Sequence, residues 1–131
     1  MVYVLLAEGF EEVEALAPVD ILRRGGVEVR TVGMTGRTVT GSHGIPVVAD
    51  ILPEEVTAEG MELLVFPGGL PGSDNLNDSP HTDRFLAMAD EAGAHIAAIC
   101  AAPYLLGRRG LLDGVVPSSK YEPIVNDLFL A

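Results

Sequence analysis

Cys100 is the only cysteine in the chain, and it sits in the run His95-Ile96-Ala97-Ala98-Ile99-Cys100-Ala101-Ala102-Pro103. An apolar β-branched stretch leading into small residues, with no polar linker, reads as a buried strand, a tight turn and a helix that starts at once. A thiol on such a turn faces the first free N–H groups of the helix, and these favour the thiolate, the nucleophilic form. Two other segments could work with it. Glu11-Glu12-Val13-Glu14 follows the first apolar run, and Pro67-Gly68-Gly69 follows another. Pro18 lies four residues beyond Glu14 and cannot donate to its carbonyl, so the helix should loosen there with Glu14 in its opening turns. The glycines permit unusual backbone angles and expose N–H groups. Together these segments offer a nucleophile in Cys100, a carboxyl group in Glu14, and an oxyanion pocket from the N–H groups of Gly69 and Ala101. Ordinary readings stay open beside this one. A lone cysteine often serves only as a small core residue. Glu14 could simply complement the helix dipole, as Glu11 and Glu12 are expected to. The glycine pair could be no more than a tight turn.

The elements that must position these residues follow from the apolar pattern. Residues 1–6 read as a buried first strand ended by Ala7-Glu8-Gly9. Glu11 to Arg24 carries Val13, Leu16, Ala17 and Ile21 at helical spacing, with acids at its start, Arg23 and Arg24 at its end and Gly25-Gly26 to stop it. Val27 to Val32 alternates as a second strand. Thr38–Thr40 and Ile45–Ala49, joined through Gly41-Ser42-His43-Gly44, suggest a small hairpin. Pro53 to Ala58 reads as a short helix or turn, Leu63 to Phe66 as a buried strand, and Leu70 to Asp78 as loop. Ser79-Pro80 opens a helix to about Ala92. The strand 95–99 follows, then a helix over 102–109 closed by Gly110. The alternation implies an α/β fold whose mostly parallel sheet is covered on both faces. Ligands bind such sheets beyond the carboxyl ends of strands, so Gly9, Gly68-Gly69 and Cys100 should meet at that rim.

Bulk properties narrow the function. The 131 residues are expected to form a single domain, and an apolar share of 48% argues for a folded core. A net charge of −11 disfavours nucleic acid and anionic membranes as partners. No stretch is apolar for long enough to span a bilayer, and the start lacks the basic flank and cleavage site of a signal peptide. One cysteine suits a reducing compartment, so a cytoplasmic location is expected. No Gly-rich phosphate loop and no metal-ligand spacing appears, so neither a cofactor nor a metal is expected.

The pieces Glu-Glu-Val-Glu at 11–14, Phe-Pro-Gly-Gly at 66–69 and Ala-Ile-Cys-Ala-Ala-Pro at 98–103 resemble the ThiJ/PfpI superfamily, and within it the Parkinson-associated deglycase branch with its bacterial relatives. Pro18-Val19-Asp20 and Arg23-Arg24 match that branch too. The resemblance covers about residues 1–114. It implies a flavodoxin-like three-layer sandwich, usually a homodimer, with Cys100 as the nucleophile at the elbow. It also implies Glu14 as the acid bonded to the sulfur, and Gly69 and Ala101 as backbone donors. The activity it implies is a cofactor-free, cysteine-dependent glyoxalase or protein deglycase acting on methylglyoxal-type aldehydes or their adducts. The alternative is a non-catalytic redox sensor or chaperone-like protein built on an oxidisable Cys100.

The chain departs from that pattern in two places. Many relatives carry a histidine beyond the elbow, whereas His43, His81 and His95 all precede Cys100. Along an extended strand His95 would lie about 16 Å from the thiol; His81 and His95 are expected to be structural, and His43 a surface or dimer-contact residue. Residues 115–131 form an atypical tail in place of the family's C-terminal elements. Missing elements would leave sheet edge and apolar core uncovered, to be closed by the tail or by a second copy in a dimer or larger assembly.

Overall fold

The structure, a computed structural model, describes residues 1–114. The atypical tail at 115–131 lies outside the described residues. Four parallel strands form one sheet in the order β2-β1-β5-β6, from β1 (Val2–Leu6), β2 (Val29–Gly33), β5 (Leu63–Phe66) and β6 (His95–Ala98). All five residues of β1 are buried, as a central strand covered on both faces requires. Side chains alternate across it. Tyr3 and Leu5 join Phe66, Leu76, Phe85 and Leu105 on one face. Val2, Val4 and Leu6 join Phe10, Ala15, Val19 and Val39 on the other. The first face is covered by α2 (Gly72–Asp78), α3 (Thr82–Ala92) and α4 (Pro103–Gly107). The second is covered by α1 (Glu12–Arg24) and the hairpin of β3 (Thr38–Thr40) and β4 (Pro46–Val48). The result is the three-layer α/β arrangement expected from the sequence.

Glu11 caps α1: its Oε2 accepts from the Glu14 N–H at 2.8 Å. Acids fill the first turn and Arg23 and Arg24 the last, favourable at both ends of the dipole. The helix runs through Pro18 without ending. Arg23 also reaches Asp50 Oδ2 at 2.6 Å and the Val29 carbonyl at 3.0 Å. Burial raises the Asp50 carboxyl, but bonds from the Thr31 N–H and hydroxyl and the Arg23 charge outweigh it and hold the carboxyl below its ordinary range.

Three expectations change. The stretch Leu70 to Asp78, read as loop, holds the helix α2. Its Gly, Ser, Asn and Asp residues are weak helix formers, and tertiary contacts override them. Leu76 is fully buried, Asn75 Nδ2 donates to the Glu8 carbonyl at 2.7 Å, and Arg109 grips Asn77 from the α4 side. The next helix begins at Thr82 with His81 as its N-cap, so Pro80 precedes the cap rather than opening the helix. Finally, β6 is not covered on both faces among the described residues: Ile96 is 37% and Ile99 49% exposed, and no described strand pairs with its outer edge.

Candidate active site

The carboxyl ends of β1, β5 and β6 converge. The Glu11 N–H donates to the Gly68 carbonyl at 2.9 Å, tying the start of α1 to the turn after β5. The Ile99 N–H donates to the Phe66 carbonyl at 3.2 Å, which holds the segment leading to Cys100 beside that turn. A side chain at Gly69 would meet the Glu11 nitrogen at 2.6 Å and the Gly9 carbonyl oxygen at 2.9 Å, so this approach needs glycine. At the junction lies a cleft of about 450 Å³ lined by Glu11, Glu14, Ser42, His43, Gly69, Leu70, Cys100 and Ala101.

Cys100 stands at φ +62°, the one non-glycine residue in the left-handed region among the described residues. Such a conformation costs on the order of 1–3 kcal/mol and persists only where surroundings enforce it. Here the strand on one side and α4 on the other enforce it, and the half-buried side chain faces the cleft. Glu14 comes to the same place from α1. A Cβ on Gly68 would collide with Glu14 Oε1, with Cys100 Cβ and with the Ile99 carbonyl. One missing methyl group is therefore the space in which the carboxyl group and the thiol-bearing carbon approach each other. Glu14 Oε1 is buried, with no hydrogen-bond partner among the described residues. A buried carboxyl oxygen is costly to leave unbonded, so this one is poised for a proton or a reacting group in the cleft. The N–H groups of Gly69 and Ala101 border the cleft and reach no backbone carbonyl among the described residues.

The structure thus brings Cys100, Glu14, Gly69 and Ala101 together. It also adds two residues that sequence reasoning set aside. Glu12, expected as a dipole-complementing acid, is only 5% exposed. It accepts from the His43 N–H at 2.9 Å, the Ile45 N–H at 3.2 Å and the Ser42 hydroxyl at 3.4 Å, clamping the hairpin loop over the start of α1. Burial pulls the Glu12 carboxyl up, but a bond from the His43 ring, followed by those from backbone N–H groups of Glu12, Ile45 and His43, outweighs it and lowers its pKa from 4.5 to about 2. His43 sits in the cleft wall with Nδ1 3.0 Å from Glu12 Oε1 and 3.6 Å from Glu11 Oε1. The missed signal was the hairpin: Gly41 leaves room for the Glu12 carboxyl against its α-carbon, which lets a loop far away in sequence close onto the helix start. Candidate ligand atoms of Glu11, Glu12 and His43 lie within 4.8 Å of one another, but hydrogen bonds already occupy both Glu12 oxygens. His81 instead stacks on Phe85 at 6.0 Å, and His95 lies exposed on β6. No helix among the described residues is long and apolar enough to cross a membrane.

The chain is similar in sequence and in fold to known proteins. The chain is 40% identical to Protein DJ-1 homolog A of Arabidopsis thaliana over 86% of its own length and 29% of that protein. It is 31% identical to the glutathione-independent glyoxalase DJR-1.2 of Caenorhabditis elegans, over 80% of its own length and 56% of that protein. A crystal structure of a DJ-1 superfamily protein from Salmonella typhimurium, a cysteine-to-alanine mutant, superposes with a TM-score of 0.78 at 39% identity, covering 90% of this chain and 71% of that one. The chain therefore spans well under two thirds of both curated relatives. The family model described as DJ-1/PfpI matches residues 1–121, and the chain belongs to the DJ-1/PfpI family.

Proposed function

We propose that this chain is a cofactor-free, cysteine-dependent glyoxalase or deglycase acting on methylglyoxal-type aldehydes or their adducts. One observation carries the reading: Cys100, held at a left-handed backbone angle, shares a cleft with Glu14, whose buried Oε1 has no hydrogen-bond partner among the described residues. The thiolate adds to the aldehyde carbon, and the carbonyl electron pair becomes an alkoxide that the Gly69 and Ala101 N–H groups face. Protonation of that oxygen completes a hemithioacetal. Glu14 then takes the proton from the former aldehyde carbon and returns one to the neighbouring ketone carbon. The first carbon is oxidised and the second reduced, so the product is a lactoyl thioester on Cys100 with no external oxidant. Water releases lactate. The relative named a glutathione-independent glyoxalase supports this chemistry.

The chain is further read as a cytoplasmic homodimer. Val13 and Ile21 are 69% and 65% exposed on α1, and Val13, Leu16 and Ala17 line an open apolar depression there that a second copy could cover. Incubation with methylglyoxal should yield lactate, and Cys100→Ser should abolish it. Equal rates for wild type and variant would refute the reading.

A further inference from the structure

We propose that His43 is the catalytic base that discharges the acyl group from Cys100, with Glu12 as its positioning residue. The inference rests on the thioester of the preceding reading and extends it to a step that neither Cys100 nor Glu14 performs.

Thioester hydrolysis calls for a base at the cleft, a role an imidazole fills. The hairpin loop supplies one. His43 lines the cleft that Cys100 and Glu14 line, and its side chain is 67% exposed, open to solvent. The ring is not free to wander. Its Nδ1 lies 3.0 Å from Glu12 Oε1 and 3.3 Å from the Ser42 hydroxyl, while its own backbone N–H is bonded to the same carboxylate. A carboxylate only accepts, so the hydrogen bond between Glu12 and the ring calls for the proton on Nδ1. A neutral ring in that tautomer keeps its lone pair on Nε2. A buried carboxylate that fixes the tautomer and orientation of an imidazole is the arrangement by which hydrolases prepare a general base. Here the carboxylate comes from α1 and the imidazole from the hairpin.

The step balances. A water molecule attacks the thioester carbonyl while its proton passes to Nε2. The carbonyl oxygen takes the negative charge opposite the Gly69 and Ala101 N–H groups. Collapse breaks the C–S bond, the electron pair leaves on Sγ, and the imidazolium returns its proton to the sulfur or to solvent. Lactic acid departs and ionises.

The test separates this step from glyoxalase activity as such. Acetyl-Cys100, formed by transfer from p-nitrophenyl acetate, presents the same thioester without any aldehyde chemistry. His43→Gln should release p-nitrophenolate in an initial burst like wild type, then hydrolyse the acetyl-enzyme about 10²-fold or more slowly. His43→Ala should recover deacylation with free imidazole, which a purely structural role does not predict. With methylglyoxal, kcat and KM of His43→Gln should fall together, leaving kcat/KM within a few-fold, the signature of a slowed second half-reaction. Unchanged deacylation in His43→Gln, or failure of Cys100 to be acylated, overturns the proposal. Should wild type leave methylglyoxal untouched while acetyl-enzyme hydrolysis still depends on His43, the glyoxalase reading falls and the role of His43 stands.

Discussion

Gly68→Ala is the sharpest probe of the geometry that joins Cys100 to Glu14. Gly68 is not among the glycines with positive φ, so alanine introduces steric conflict rather than backbone strain. The new Cβ would lie 2.7 Å from Cys100 Cβ and 2.8 Å from the Ile99 carbonyl oxygen, and nearer still to Glu14 Oε1. Each contact must open by several tenths of an ångström to reach ordinary separation. Two of the three obstacles belong to the turn that holds the thiol, and backbone moves less readily than a side-chain tip. Relief therefore falls largely on the Glu14 carboxyl, which is pushed away from the reacting centre. Overpacking of this kind costs about 1–3 kcal/mol of stability. A displacement near 1 Å in a catalytic constellation costs about 10²-fold in rate, or roughly 2.7 kcal/mol of barrier. Lactate formation from methylglyoxal, measured beside a urea melt, reads both quantities on one variant. The expected result is a folded protein with its melt shifted by that stability cost and kcat/KM reduced about a hundredfold. Wild-type kcat/KM in folded Gly68→Ala would show that the proximity of Glu14 to Cys100 does not govern the reaction.

Other outcomes follow from the same structure. Because the folded-state pKa of Glu12 is depressed from 4.5 to about 2, its ionisation stabilises the fold fully above pH 4.5, and this contribution is lost as pH falls toward 2. The gap between urea midpoints of wild type and Glu12→Gln should thus be flat near neutrality and shrink across that window; a gap independent of pH would contradict the clamp. Tyr104 donates to Asp74 Oδ1 at 2.6 Å, joining α4 to α2; burial and the Asp74 carboxylate keep the phenol protonated far above its ordinary range. Tyr104→Phe should lose about 1 kcal/mol, modest because Asp74 is exposed, and an unchanged melt would argue against that link. Val13→Asp combined with Ile21→Asp should sediment as a monomer with stability altered by only about 0.5 kcal/mol, as for exposed positions. A dimer that survives both changes would place the interface elsewhere.

The strands were legible because their apolar runs are continuous. Val2 to Leu6 and Leu63 to Phe66 have no polar interruption, and burial on both faces of a parallel sheet demands that pattern. The helix α2 was not, since Gly72-Ser73-Asp74-Asn75 carries loop composition; what makes it helical lies in Glu8, Tyr104 and Arg109, which no local window contains.

The candidate site divides along the same line. Cys100 could be placed because it follows directly from a strand end, where local pattern fixes position, whereas Glu14 was singled out mainly by the family resemblance of Glu-Glu-Val-Glu at 11–14. Glu12 and Glu14 lie two residues apart on α1, and helical rotation sends them to different surroundings. Glu14 turns to the Gly68 gap. Glu12 turns to the hairpin, where the Gly41 α-carbon admits its carboxyl group and His43 and Ile45 bind it. One helical turn thus contributes an acid to the nucleophile and a second acid to the imidazole. Glu12 makes this possible because its carboxyl is held low despite burial, its oxygens being met by the His43 ring and by backbone N–H donors. An apolar residue at position 12 would remove the carboxylate that orients His43, the one histidine that the described residues bring to the cleft, while the Ser42 N–H to the Phe10 carbonyl would still hold the loop.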